Sequence, residues 1–218
     1  MVKRSAPVRE SRRPGADGIL TGALKAFYDI GYGGTSVREI ANRADVTVAA
    51  LYHHFESKQE ILATVMRRGM EADLAAVEEA AQRASQEPVE QLRAIVAAHV
   101  RFHTVHKMEA FVGNYELRSL EPAARREVVE LRDRHEQLFT RVIAEGIECG
   151  VFLVEDAQEA SRAVLAMCTG VAMWYKRGGA VTVETLERRY ADLALNTVRY
   201  APPTSSQSSD TTSVTATA

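Results

Sequence analysis

An all-α protein is predicted, with a small N-terminal three-helix unit followed by a larger helical domain. Composition points first to helix, because Ala, Leu, Val, Glu and Arg dominate and aromatics make up only 6% of the 218 residues. Apolar residues recur at i, i+3 and i+4 along most of the chain, the period of a helix with one buried face. Glycine and proline fall between such stretches, where helices must stop. The length suffices for one large domain or two small ones with a real core.

Residues 1–16 carry Lys3, Arg4, Arg9, Arg12 and Arg13 among Pro7, Pro14 and Gly15 without any apolar period, so they read as a disordered basic arm. Asp17 can cap a first helix, on which Ile19, Ala23, Phe27 and Ile30 make one stripe until Gly31 stops it. Ser36 with Glu39 is a capping box opening a second helix that ends near Ala44. Asp45 and Val46 make a short turn, and Thr47 can cap a third helix from Val48 to about Phe55. Ser57 with Glu60 repeats the capping box for a fourth helix.

Two short helices across a three-residue turn make a helix-turn-helix, whose second member enters the major groove of DNA. At 100° per residue, Leu51 and Phe55 share one side of the third helix with the core residues Ile40, Ala41, Ala44 and Val46. Ala49, Ala50 and His53 point the other way, where small side chains let a backbone approach base edges. Tyr52 at the rim and Lys58 beside the start of the fourth helix suit phosphate oxygens. On pattern alone, the same residues could be packing plus a solvated histidine pair. Charge agrees with the DNA reading, since residues 1–68 hold 11 Lys and Arg against 7 Asp and Glu, while the remainder holds 16 against 22.

The stretch "TSVREIANRAD" followed by "LYHHFESKQEIL" resembles the DNA-binding domain of the TetR family of transcriptional regulators. Ile40, Ala41, Ala44, Val46, Leu51, Tyr52, His54, Phe55, Ser57, Lys58 and Leu62 fall in register over residues 17–65. The resemblance implies that Ser36, Val37, Arg38, Val48, Ala49, Ala50, Tyr52, His53 and Lys58 stand where the family touches an operator. Asp45 departs from the glycine usual in that turn, but Asp tolerates the left-handed conformation better than most residues.

The rest divides into helices near 57–83, 88–107, 109–119, 123–149, 157–176 and 182–200, with Pro88, Pro122, Gly150 and Gly178-Gly179 between them. The expected domains are 17–64 for DNA binding and 65–200 for effector binding and dimerisation, with a Pro/Ser/Thr-rich disordered tail over 201–218. The resemblance implies a homodimer through the last two helices. Stripes of Ala160, Ala163, Val164, Met167 and Val171, and of Leu186, Tyr190, Leu193 and Leu195, would fit such a seam.

"VIAEGIECGVF" and "MCTGVAMWYKRGGAVTVETLERRYADLALNTV" are similar to a TetR branch controlling fatty-acid, steroid or other acyl-CoA catabolism. That implies a small hydrophobic or acyl-CoA effector, and the rival is an efflux-pump repressor sensing a hydrophobic cation. Phe102, His103, Phe111, Tyr115, Met167, Met173 and Trp174 are the pocket candidates, apolar with a few polar tips. Arg118, Arg125 and Arg126 could meet CoA phosphates.

His99, His103 and His106 share one helix face, where two imidazoles could bind Zn or Ni, but no cysteine or obvious carboxylate completes the set. They read as pocket lining or a wet surface, no metal or cofactor is assigned, and a metal-responsive regulator stands as a further alternative. Cys149 and Cys168 lack any metal or disulfide spacing and read as reduced core or near-core residues. No catalytic motif occurs, so no enzyme is expected. No apolar run approaches the roughly 18–20 residues that cross a bilayer, and a cytoplasmic protein without a membrane partner is expected.

Overall fold

The computed structural model describes residues 15–202. The basic arm up to Pro14 and the tail from residue 203 lie outside the described residues, whereas Gly15 and Ala16, grouped with the arm above, already open the first helix.

Helix α1 runs Ala16–Gly34 from an N-cap at Gly15, so Asp17 lies in the first turn instead of capping it. Its carboxylate meets Arg68 at 2.7 Å. Gly31 takes φ 73°, which L side chains avoid, and the helix breaks there. Helix α2 (Val37–Arg43) starts on the Ser36 half of the capping box, which accepts the Glu39 N–H at 3.1 Å, while the Glu39 carboxylate turns to Arg43. Asp45 adopts φ 54°, the left-handed state its residue type tolerates.

Helix α3 (Val48–Tyr52) opens on Thr47, whose hydroxyl accepts the Ala50 N–H at 3.1 Å. It ends before the expected Phe55, because the chain turns at His53 and His54 to bring Phe55 back into the core. Helix α4 (Lys58–Arg83) starts with Ser57 accepting the Glu60 N–H at 3.1 Å, while Glu60 accepts the Glu56 N–H at 2.6 Å.

The larger domain continues as α5 (Pro88–Val105), α6 (Lys107–Tyr115), a 3-10 turn (Leu117–Ser119), α7 (Pro122–Glu148), α8 (Ala157–Thr169), α9 (Val171–Trp174) and α10 (Val183–Thr197). Pro88 and Pro122 open their helices, where a missing N–H costs nothing. The expected helix over 109–119 starts two residues earlier and tightens into the 3-10 turn after Tyr115. The expected helix over 157–176 is divided at Gly170, whose carbonyl accepts the Met173 N–H at 3.1 Å in a tighter turn. Past α7, Gly150 takes φ 71°, and Phe152 makes an isolated antiparallel bridge with Tyr200.

Two cores result. One buries Ile19, Phe27, Ile40, Leu51, Ile61 and Leu62 of the head, and it also takes Val112, Leu120 and Val128 from α6, the loop and α7. The other joins Val77, Leu92, Ile95, Phe139, Ile143, Val164, Leu186 and Leu195. Each large apolar side chain contributes about 1.5–3 kcal/mol on burial, and α4 feeds both cores.

Val164, Val171, Leu186 and Leu195, read above as part of a seam between chains, belong to this chain's own core. The stripe is real, but α5 covers it: Arg93 pairs with Asp192 at 2.6 Å and Arg101 with Glu187 at 2.7 Å across α5 and α10. Ala163, Ala166 and Leu193 face outward. Cys168 is buried and Cys149 is exposed, so Cys149 is not the near-core residue expected. Among the described residues, no helix is long and apolar enough to cross a membrane.

Candidate nucleic-acid interface and effector chamber

The outer face of α3 is built by exclusion. Leu51 and Phe55 are drawn inward, and the helical period then leaves Ala49, Tyr52 and His53 exposed and Val48 and Ala50 half-buried. Ser36 and Arg38 are exposed on the α2 side, with Val37 half-buried between them. Asp29 and Glu39 hold Arg43 at 2.5 and 2.7 Å, fixing α2 against α1. Closeness of these two helices needs Gly22, since a Cβ there would stand 2.9 Å from the Ala44 backbone nitrogen.

Lys58 is placed less freely than its sequence position suggested. Its ammonium donates to the carbonyls of Tyr32 and Thr35 at 2.9 and 2.8 Å and sits 4.0 Å from the Tyr32 ring centroid. These contacts tie the end of α1 to the start of α4. An ammonium has three N–H donors, which leaves one for a phosphate.

The pocket candidates separate into two groups and an outlier. Phe102 is buried with Ala110 and Ala172, and His103 is buried beside it. Phe111 stacks on Tyr115 at 4.5 Å and meets the edge of Tyr28 at 5.0 Å. The Tyr115 hydroxyl donates to the Met173 sulfur at 2.8 Å, and Tyr115, Met173 and Trp174 are all exposed. Met167 packs against the large core instead.

A cleft of about 330 Å³ opens between the head and the larger domain, lined by Leu20, Leu24, Val65, Ala72, Phe102 and His106. Asp17, Arg68 and Glu109 sit at its polar margin. Of the three arginines considered for phosphates, Arg125 and Arg126 line an open groove with Pro122 and Val129, and Arg118 is exposed elsewhere.

Deeper in the same domain lies a polar cluster the sequence did not reveal. Asp73, His99, His103 and His135 are each no more than 4% exposed. The Asp73 carboxylate oxygens stand 3.1 and 3.3 Å from His99 Nδ1, and one of them stands 3.6 Å from His135 Nε2. His103 Nδ1 donates to the His99 carbonyl at 3.0 Å, and His99 Nε2 faces the Thr169 hydroxyl at 3.4 Å. His106 leaves the expected face because α5 ends there, and it stacks on Phe102 at 5.0 Å instead. Burial pushes the His99, His103 and His135 imidazoles down to about 3 and raises Asp73 from its ordinary value.

Head and larger domain are also joined by hydrogen bonds far apart in sequence. Glu116 accepts the Tyr32 N–H at 3.0 Å, Gln59 donates to the Ser119 carbonyl at 2.7 Å, and Gln59 accepts the Glu121 N–H at 3.2 Å. No local pattern announces these residues, whose polar side chains look like ordinary surface until the corner between α6 and α7 meets the head.

A three-helix head presenting a small-residue recognition helix beneath a larger helical chamber defines a DNA-binding transcription regulator, not an enzyme. The chain belongs to the TetR family: residues 19–65 match bacterial regulatory proteins of the tetR family, and residues 85–198 match the tetracyclin repressor-like C-terminal domain. It is 27% identical to the HTH-type transcriptional repressor KstR2 of Mycolicibacterium smegmatis over 183 residues, 82% of this chain and 88% of that protein. The TetR family transcriptional regulator PfmR from Thermus thermophilus superposes with a TM-score of 0.75 at 36% identity, covering 82% of this chain and 97% of that one. AibR, solved in complex with isovaleryl coenzyme A and operator DNA, superposes with a TM-score of 0.74 at 25% identity, covering 84% and 97%.

Proposed function

We propose that this protein is a cytoplasmic dimeric repressor that occupies a palindromic operator and leaves it when an acyl-CoA thioester or another small hydrophobic effector binds. The carrying observation is the position of the apolar cleft: Leu20 and Leu24 come from α1 of the head, Val65 and Ala72 from the shared α4, and Phe102 from α5 of the larger domain. An occupant there pushes on both at once. It releases DNA only if it prefers the arrangement in which the two heads no longer match the operator.

Ser36, Val37, Arg38, Val48, Ala49, Ala50, Tyr52, His53 and the remaining N–H of Lys58 are the assigned DNA contacts. Of the effector residues expected from the sequence, Phe102 lines the cleft and Phe111, Tyr115, Met173 and Trp174 remain candidates, whereas Met167 packs in the large core and His103 in the polar cluster. The likeness to AibR, solved with isovaleryl coenzyme A, supports the thioester class, and the likeness to a KstR2 repressor supports repression. Two chains related by a two-fold axis suit half-sites about one helical turn apart, roughly 34–36 Å, or a multiple of it.

Fluorescence anisotropy on the intergenic DNA beside its gene, at fixed salt, tests the reading. Reversal by acyl-CoA thioesters is the expected result. Tight binding that no thioester disturbs, but that a hydrophobic cation reverses, would favour the efflux-type alternative, for which Glu109 at the cleft margin offers a counter-charge.

A further inference from the structure

We propose that Asp73, His99 and His135 form a binding site for one divalent transition-metal ion of the Zn²⁺ type, bridging α4, α5 and α7 inside the larger domain. The three donor atoms lie within 4.8 Å of one another, and all three residues are buried. Donors held about 2.0–2.2 Å from one ion at tetrahedral angles stand about 3.3–3.6 Å apart. The observed 3.1 Å between Asp73 and His99 and 3.6 Å between Asp73 and His135 bracket that spacing, and the two imidazole nitrogens, which lie within 4.8 Å, must draw together on binding.

His135 Nε2 supplies an independent sign. It is a buried ring nitrogen aimed at the cluster without a hydrogen-bond partner, an arrangement that folded proteins rarely leave unexplained. Asp73 is the second sign, a carboxylate 2% exposed that pairs with no lysine or arginine among the described residues. A divalent ion satisfies both at once, accepting the imidazole lone pair and neutralising the carboxylate.

Two imidazoles with one carboxylate select a transition ion over Mg²⁺ or Ca²⁺, which favour oxygen alone. Thr169 near the remote nitrogen of His99 is the outer partner that orients a ligating ring. The fourth position is left to water, since His103, whose Nδ1 donates to the His99 carbonyl, is not among the three clustered donors.

The test uses the full chain, stripped with chelator and titrated with Co²⁺ and then Zn²⁺. One Co²⁺ per chain is expected, with ligand-field absorption of nitrogen and oxygen donors, no thiolate charge-transfer band, and displacement by Zn²⁺. Asp73→Asn and His135→Gln should each weaken uptake by at least about 10–100-fold, the loss that even an outer-partner change brings. Cys149→Ser, which removes the exposed thiol, should leave uptake unchanged.

Wild-type protein that binds no stoichiometric metal, or uptake that survives both ligand variants, overturns the proposal. Should a variant fail to fold, imidazole ¹⁵N NMR of the wild type decides. Zn²⁺ must move the His99 and His135 signals, and movement confined to His53, His54 and His106 overturns the assignment.

Discussion

Ala50 matters for what it lacks: in the proposed interface only its methyl group would stand between α3 and a base edge. Ala50→Glu puts a carboxylate against phosphates, and operator binding should fall at least about 100-fold while circular dichroism stays native, since the cap at Thr47 uses only the Ala50 backbone. Tyr52→Phe should cost roughly tenfold on operator and unrelated DNA alike, because a phosphate hydrogen bond is worth about 1.5 kcal/mol and carries no sequence information. Unchanged anisotropy in both variants would remove α3 from the interface.

The buried imidazoles set an acid limit on the metal-free protein. His99, His103 and His135 are held down to about 3 against an ordinary 6.5, so the unfolded chain binds more protons between those values. Their stability contribution is present above about pH 6.5 and is lost as pH falls. Asp73, raised by burial, works in the opposite sense, its contribution being present below 3.8 and lost as pH rises through its folded value. Three groups oppose one, and urea midpoints should decline steadily from about pH 7 to pH 5. A flat profile would mean that water or a cation already relieves the cluster.

Among elements, the caps show how much of the fold was legible. Ser36, Thr47 and Ser57 each accept the N–H three residues on, because a cap depends on neighbours a sequence displays side by side. Division of α8 from α9 was hidden, since Gly170 keeps right-handed angles (φ −59°, ψ −19°) and only tertiary packing tightens the turn. Gly146 was equally silent, although an added Cβ would stand 2.0 Å from the Phe152 ring. Gly146→Ala should therefore destabilise by about 1–3 kcal/mol, and Phe152→Leu in that background should return part of the loss. Simple additivity in urea denaturation would show that the ring moves aside freely.

The corner between α6 and α7 is the element whose role depends on pairs distant in sequence. Glu116→Ala removes the acceptor for the Tyr32 N–H. Operator affinity without effector should change less than about threefold, but the ratio of affinities with and without effector should shrink by a coupling of about 0.5–2 kcal/mol. An unchanged ratio would assign transmission to α4 alone.

For the whole molecule, the helix-turn-helix head and the larger helical body were visible in periodicity, as was the α3 face, whereas the positive charge of residues 1–68 rests on the arm, since residues 17–64 carry 4 Lys and Arg against 6 Asp and Glu. Asp73 and His135 were not visible, because they come from α4 and α7 and share no spacing with His99. Apolar period alone also does not distinguish a stripe buried by the chain itself from one buried by a second copy, as Leu186 and Leu195 demonstrate. The outward Leu193 is the better marker of a two-fold seam. Leu193→Arg should give a monomer by light scattering at micromolar concentration and lose operator binding with it. A dimer that survives places the seam elsewhere.

Val112, Leu120 and Val128, no more than 6% exposed, complete the core of a head to which they do not belong in sequence. A head cut out near residue 65 would carry an apolar scar, and a foreign head spliced in its place would meet three side chains shaped for another surface. Giving this chain another reading head, by recombination or by protein engineering, should therefore require that the matching corner travel with the graft.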